Sequence, residues 1–295
     1  MNSVLITGCS SGIGLCLAEG LHARGWRVFA AARKPNDVQK LIAQDMESLR
    51  LDLDDSESIQ DAVREILQRT GGRLDALINN GAYGQPGAVE DLRRDVIRTQ
   101  FETNLFGLLE LTNLIIPVMR KQGSGRIINI SSLLGFVALP YRGAYNASKY
   151  ALEGLTDTLR LELNGSGISV SLIECGPITS RFRANAYAMY KKNINPQHSA
   201  HRNIYAALER RLTKPGPAAP FTLPPQAVLK KVLRALETPH PRARYFVTAP
   251  SHFFALLKRL LPARALDWVL RRVSQGELNQ PRRKNPPLGG EGKQE

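Results

Sequence analysis

Short, almost uninterrupted apolar runs alternate with amphipathic stretches along most of this chain. The apolar runs are SVLIT (3–7), WRVFAAA (26–32), SLRLD (48–52), LDALIN (74–79), GRIINIS (125–131), ISVSLIEC (168–175) and RYFVTA (244–249). Apolar residues follow one another in these runs and do not alternate with polar ones, as expected of strands covered on both faces. Between the runs, helical periodicity is expected to about residue 23, over 56–68, from about 91 to 121, over about 143–163 and over 224–238. Strand–helix alternation on this scale predicts an α/β fold, a doubly wound parallel sheet with right-handed crossovers. Ligands then collect beyond the carboxyl ends of the strands, where the strand order reverses.

Three stretches break the rhythm. Residues 178–223 are polar, basic and punctuated by PGPAAP (215–220), and read as a long excursion that serves as a substrate loop or lid. HFFALLKRLLPARALDWVLRRV (252–273) mixes large apolar residues with Lys258, Arg259, Arg264, Arg271 and Arg272. It is expected to be an amphipathic helix whose apolar face closes the pocket or packs on a partner subunit, or that lies weakly in a membrane interface. The last residues, 274–295, have no apolar periodicity and read as a disordered tail. The organisation expected is therefore one domain over 1–250 with its 178–223 insertion, a helical extension over 251–273, and the tail.

Composition narrows the class. The 295 residues are 43% hydrophobic and 22% charged, an ordinary globular balance. No apolar run approaches the roughly 20 residues a bilayer crossing needs. MNSVLITG enters an apolar segment at once, without a basic leader, so no signal peptide is expected. Cys9, Cys16 and Cys175 are odd in number and lack CxxC spacing, which reads as reduced thiols in a cytoplasmic protein. The histidines form no ligand pattern, and no metal site is expected. From Arg181 onward 22 Lys and Arg face 6 Asp and Glu, whereas the first 180 residues hold 18 and 20, so the basic character belongs to the C-terminal part. No helix-turn-helix, RNP or zinc pattern accompanies it, and no nucleic-acid partner is expected.

Two local patterns carry chemistry. TGCSSGIG (7–14) links the first strand to the first helix. Gly8 allows a sharp turn, and Gly12 and Gly14 remove Cβ atoms where a pyrophosphate would meet helix-terminal amides. The plainer reading is only a tight strand–helix connection. Tyr145 and Lys149 lie one turn apart in GAYNASKYALEGL (143–155), on the same helix face. An aromatic covering a lysine stem would look the same as a proton donor tuned by a neighbouring ammonium. A free tyrosine titrates near ~10, too high for an effective base at neutral pH, and a nearby cation favours its ionised form.

Taken in order, these segments resemble the short-chain dehydrogenase/reductase family over at least residues 3–182. TGCSSGIG resembles its TGxxxGIG turn, Asp52 its acidic residue after the third strand, and NNGA (79–82) its NNAG segment. Asn104 falls on the asparagine of its fourth helix, Ser132, Tyr145 and Lys149 on its serine and YxxxK, and CGPITS (175–180) on its PGPxxT stretch. The resemblance implies a Rossmann fold and a catalytic set of Asn104, Ser132, Tyr145 and Lys149. Tyr145 would exchange the proton, Lys149 tune it and hold the nicotinamide ribose, Ser132 hold the substrate oxygen, and Asn104 anchor a water chain. The implied nucleotide site comprises Gly8, Ser10, Ser11, Gly12, Ile13 and Gly14, then Arg33, Asp52 and Leu53, then Asn80, Gly81 and Ala82. Tyr145, Lys149, Gly176, Pro177, Ile178 and Ser180 complete it. The sequence departs from the family in the order of Gly81 and Ala82, in Cys175 for proline, and in Ser180 for threonine.

The second strand ends AAARK, with Arg33 where NAD-preferring members commonly place a carboxylate. A guanidinium grips a 2′-phosphate, so NADP is expected over NAD; a solvated Arg-Lys pair is the plainer alternative. The strings around Tyr145 and Cys175 look most like the branch holding retinol and hydroxysteroid dehydrogenases and nearby bacterial aldehyde reductases. An NADP-linked reduction of apolar aldehydes or ketones is expected, with Leu134, Phe136 and Tyr141 as pocket walls or core residues. The alternatives are a retinol- or hydroxysteroid-type alcohol dehydrogenase and, from another class, a dinucleotide-sensing binding protein with little turnover. The family's habit implies a homo-oligomer.

Overall fold

The computed structural model describes residues 1–217 and 219–278. Seven strands form one sheet: β1 (Ser3–Ile6), β2 (Arg27–Ala32), β3 (Glu47–Arg50), β4 (Ala76–Asn79), β5 (Gly125–Ser132), β6 (Ile168–Cys175) and β7 (Arg244–Phe246). Their order is β3-β2-β1-β4-β5-β6-β7, and every neighbouring pair is parallel. The chain winds outward in both directions from the β1–β4 pair, so a crevice opens there at the carboxyl ends.

Both faces are covered, which is why the strands read as continuous apolar runs. On one face α1 (Gly12–His22), α2 (Pro35–Ile42) and α9 (Gln226–Glu237) pack Leu17, Leu21, Val38, Val228 and Val232 on Val4, Ile6 and Ala30. On the other, α3 (Ser56–Thr70) and α5 (Gly107–Gln122) set Ile59, Ile66, Leu111 and Ile115 against Leu5, Phe29 and Leu77. The Asp55 carboxylate accepts from Ser58 N–H and starts α3, and Gly71 at φ 64° ends it. Helix α2 has no counterpart among the expected helices; it is eight residues long and buries only Val38 and Leu41.

The helical region expected from 91 to 121 is not one helix. It divides into α4 (Arg94–Phe101), a π-helical turn over Glu102–Phe106, and α5. The chain is pressed here against the loop between β3 and α3: a Cβ on Gly107 would come 1.8 Å from the Leu53 carbonyl oxygen. The wide turn swings Asn104 inward.

The excursion over 178–223 is closed at its neck by a bridge between Ile178 and Leu223, with Thr179 N–H donating to the Leu223 carbonyl at 2.9 Å. It carries two helices, α7 (Phe182–Asn193) and α8 (Arg202–Thr213). Tyr190 and Tyr205 are fully buried between them, ring centroids 5.7 Å apart. The Tyr205 hydroxyl accepts from Ala88 N–H at 2.9 Å and donates to Asp91, tying α8 to the segment after β4.

Instead of one amphipathic helix over 252–273 there are two, α10 (Ala249–Leu260) and α11 (Ala263–Leu278). Pro262 falls between them; it lacks an N–H and disfavours helical backbone in the residue before it. Helix α11 also takes in residues 274–278 of the expected tail; the rest of that expectation, 279–295, lies outside the described residues. Phe254, Leu257, Leu266, Val269 and Leu270 of these two helices cluster with Leu133, Leu134, Val137 and Leu139. Those four residues belong to the connection from β5 to α6 (Gly143–Glu162), the segment between Ser132 and Tyr145. No described helix is long and apolar enough to cross a membrane.

Phe254 is 7% exposed at the centre of that contact. Truncation of a buried phenylalanine leaves a cavity, and Phe254→Ala is expected to cost about 3 kcal/mol in urea-induced unfolding. A loss below about 0.5 kcal/mol, the level of a surface substitution, would contradict the packing described.

Candidate active site

The turn after β1 is built for close approach. Gly8 and Gly12 take φ of 73° and 61°, and a Cβ on Gly8 would lie 2.8 Å from the Gly81 Cα. Thr7 fixes the two turns that face each other across the β1–β4 crevice. Its hydroxyl accepts from Asn80 N–H at 3.0 Å and Gly81 N–H at 2.8 Å, while Asn80 Nδ2 donates back to the Thr7 carbonyl at 2.8 Å. Ser11 stands at the N-cap of α1 without a side-chain capping bond, and no acidic residue occupies the first turn. The helix therefore presents open amides and the positive end of its dipole to the crevice.

Ser132 ends β5 and is nearly buried. Its oxygen accepts from Leu134 N–H at 3.1 Å and shares a hydrogen bond with the Tyr145 phenol. Lys149 is 2% exposed; its Nζ donates to the Ile130 carbonyl at 2.8 Å and sits 5.9 Å from the centroid of the Tyr145 ring. Burial pushes the Tyr145 phenol above the ordinary tyrosine range, with the Ser132 bond working the other way. Burial lowers Lys149 to about 8, opposed by nearby acids. In the protein by itself desolvation of the phenolate outweighs its hydrogen bond, so Tyr145 holds its proton.

Asn104 is buried and acts as a brace. Its Oδ1 accepts from Tyr83 N–H at 3.1 Å, and its Nδ2 donates to the Tyr83 carbonyl at 2.9 Å and to Ser148 Oγ at 3.1 Å. These bonds lock the segment after β4 to α6 one residue before Lys149.

A cavity of about 630 Å³ opens along the carboxyl ends of the strands. Gly8, Ser10, Ser11, Ile13, Asn80, Gly81 and Ala82 line one end. Ser132, Tyr145 and Lys149 line its middle, with Gly176, Pro177, Ile178 and Ser180 beside them. Gly12, Gly14, Arg33, Asp52, Leu53 and Asn104 do not line it. Gly14 supports the turn, since a Cβ there would meet the Gly8 carbonyl at 2.2 Å. Asp52 shapes the loop after β3, its N–H donating to Ser58 Oγ at 3.0 Å and its carboxylate accepting from Asp54 N–H at 3.2 Å. Leu53 packs under Gly81. Arg33 is exposed at the end of β2.

Of the proposed pocket walls, Leu134 lines the cavity, but Phe136 and Tyr141 do not. Phe136 packs edge-on against Phe246 at 6.0 Å, and Tyr141 against His201 at 5.4 Å. Sequence reasoning missed Arg142, Arg181, Arg183 and Arg211, which line the cavity, and Phe182, whose ring meets Tyr145 edge-on at 5.3 Å. Four of these five stand on the excursion, where the family pattern gives no signal; Arg142, three residues before the tyrosine, was legible as its neighbour. No Asp or Glu among the described residues lines the cavity. Open helix-terminal amides, close-approach glycines and cationic walls fit a pyridine dinucleotide.

A dinucleotide crevice at the sheet's reversal, running into a buried Ser-Tyr-Lys set, defines the class: an oxidoreductase acting on a carbonyl or CH–OH group. Comparison with known proteins agrees. The short chain dehydrogenase family model matches residues 2–191, and the chain belongs to that family. It is 42% identical over 268 residues to the uncharacterized oxidoreductase YbbO of Escherichia coli K12, covering 91% of this chain and 93% of that one. It is 34% identical over 273 residues to human 17-beta-hydroxysteroid dehydrogenase type 1, covering 88% and 80%. Among solved structures, a single-substitution variant of actinorhodin polyketide ketoreductase with NADPH superposes with a TM-score of 0.69 at 25% identity, covering 83% of this chain and 95% of that one.

Gly14→Ala pushes a methyl into the Gly8 carbonyl and must displace the turn. Affinity for NADPH, followed by nucleotide fluorescence, is expected to fall about tenfold or more, roughly 1.4 kcal/mol. Unchanged affinity would mean that the turn does not bind the nucleotide.

Proposed function

We propose that this protein is an NADP(H)-dependent reductase of apolar aldehydes or ketones. The observation that carries the reading is the placement of Ser132, Tyr145 and Lys149 on one cavity wall, between the open end of α1 and apolar surface. Leu133, Leu134, Leu139, Phe182, Leu208 and Leu212 supply that surface. The named relatives that act on steroids and polyketides give independent support for a bulky apolar substrate.

A bound nicotinamide would supply the hydride; the remaining work belongs to side chains. Ser132 holds the substrate oxygen, and the Tyr145 phenol gives its proton to that oxygen as negative charge develops there. The protonated state of Tyr145 favours the reductive direction. Lys149 stabilises the phenolate that remains, and the apolar walls exclude water and strengthen both interactions. Excursion 178–223 serves as the lid. Asn104 holds the lysine's turn in place.

NADP over NAD is supported by the lack of a carboxylate at the end of β2 and by Arg33 and Lys34 there. We further propose that the chain forms a homo-oligomer. Exposed Phe253, Leu256, Leu260 and Trp268 beside Lys258, Arg259 and Arg264 support a weak peripheral membrane contact.

The test is NADPH oxidation against aliphatic, aromatic, retinoid and steroid carbonyls, with NADH as control. Turnover with NADPH is expected to exceed that with NADH, and Tyr145→Phe to lose about 100-fold or more in kcat. Equal rates for wild type and Tyr145→Phe would sink the assignment. Arg33→Ala is expected to raise KM for NADPH about tenfold and leave NADH nearly unaffected, since only the 2′-phosphate loses its partner. The reduction rate should fall on the alkaline side as Lys149 loses its proton near pH 8.

A further inference from the structure

Behind the wall that carries Ser132 and Lys149 stand ionisable groups that the reaction above does not use. In the register of β5 and β6, Ser131 lies opposite Glu174 and Ser132 opposite Cys175. Glu153 follows Lys149 by one turn on α6. Glu174 is 0% and Glu153 7% exposed.

The two carboxyls are not equally served. Glu153 Oε1 accepts from Ser131 Oγ, and Oε2 accepts from Arg244 Nη2 at 3.1 Å. Among the described residues no N–H or O–H donor reaches either oxygen of Glu174; Arg244 Nε approaches to 3.4 Å without making a hydrogen bond. Two carboxylates side by side in an interior cannot both be ionised. Glu174 therefore keeps the proton and donates it to Glu153, and burial together with that neighbour pushes Glu174 far above the carboxyl range. Asp157 closes the network, accepting from Arg244 Nη2 at 2.7 Å. Arg160 Nη2 also donates to Asp157, at 3.2 Å, so Arg244 is shared between Asp157 and the two glutamates, and the single proton leaves one negative charge on the pair.

That charge faces Lys149, on which both carboxyls act through space. The other groups facing the lysine are Tyr145 on its own helix and Cys175 on β6. Burial raises both, Cys175 to about 12, so neither is an anion near neutral pH. Among the described residues the Glu153–Glu174 pair is the counter-charge left to the buried ammonium.

We propose that Glu153 and Glu174, holding one proton between them, are positioning residues whose shared negative charge keeps Lys149 an ammonium beside Tyr145. This rests on the reading of Tyr145 and Lys149 as the proton-transfer pair. A shared proton has a signature: when one carboxyl is neutralised the other carries the charge, and only the double change removes it.

The experiment follows NADPH binding to the full-length protein by nucleotide fluorescence across pH, without substrate. Wild-type affinity is expected to fall as Lys149 loses its proton near pH 8. Glu174→Gln should leave that limb in place, because the group is already neutral. Glu153→Gln should move it slightly down, as Glu174 ionises instead. Glu153→Gln with Glu174→Gln should move it down by about one pH unit or more, because an uncompensated ammonium sheds its proton sooner. A double variant with an unmoved limb, a Glu174→Gln limb moved as far as the double, or a wild-type affinity flat across the range would each overturn the proposal. Should the double variant not fold, the infrared carbonyl stretch of a buried protonated carboxyl decides. It is expected in wild type at neutral pH and lost in Glu174→Gln; its absence from wild type overturns the proposal. A protein that binds NADPH and reduces no carbonyl would defeat the functional reading and leave these results standing.

Discussion

A lysine taken out of water sets the terms for the rest of the site. Moving an ammonium into a protein interior costs several kcal/mol even after relaxation, so every feature near Lys149 must help to hold it. One donor is satisfied by the Ile130 carbonyl at 2.8 Å, and this bond pins α6 to the end of β5. The same contact places Tyr145, one turn earlier, where its phenol meets Ser132. Three side chains from two elements thus share one wall because a single buried cation demands an acceptor from its neighbour. The phenol gains a charge beside it, and the Ser132 hydroxyl at the strand end lines the same cavity.

The fold delivers the partner surface to that wall. Reversal of strand order between β1 and β4 leaves a crevice that no crossover covers, and Thr7 cross-links the turns on either side of it. The uncapped start of α1 faces the crevice. Across it, the α7–α8 excursion and the α10–α11 pair bring apolar surface: one roofs the cavity, the other packs beneath the Ser132–Tyr145 connection. Both lie outside the repeating strand–helix frame. Both also fall in the basic C-terminal part, which accounts for three of the arginines that line a cavity free of Asp and Glu among the described residues.

The doubly wound parallel sheet was legible because parallel strands buried on both faces cannot hide their apolar runs. The glycine turn, Ser132, Tyr145 and Lys149 were legible because they stand at the separations of the family pattern, and the fold brings them to one cavity. What escaped notice was decided by long-range packing. The π-helical turn at Glu102–Phe106 adjoins the close approach of Gly107 to the Leu53 carbonyl, a contact no local pattern encodes. Pro262 divided a segment whose amphipathic stripe, taken alone, read as one helix. Phe136 and Tyr141, near Tyr145 in the chain, pointed to pocket walls, yet neighbouring aromatic rings draw both aside. Glu153 and Glu174 gave no signal, since one reads as an ordinary helix carboxylate and the other as a stray acid in a strand. Only the β5–β6 register and the Arg244 side chain bring them together behind Lys149.

The central claim is spatial: one crevice joins the open amides of α1 to the buried phenol and ammonium of α6. A crystal structure of the protein with NADP+ tests it most directly. The account predicts the diphosphate on the amides of residues 12–14 and the C4 edge of the nicotinamide facing the Tyr145 hydroxyl, beside Ile178 and Ser180. A nucleotide bound away from the β1–β4 crevice, or a nicotinamide ring turned to solvent and remote from Tyr145, would contradict it.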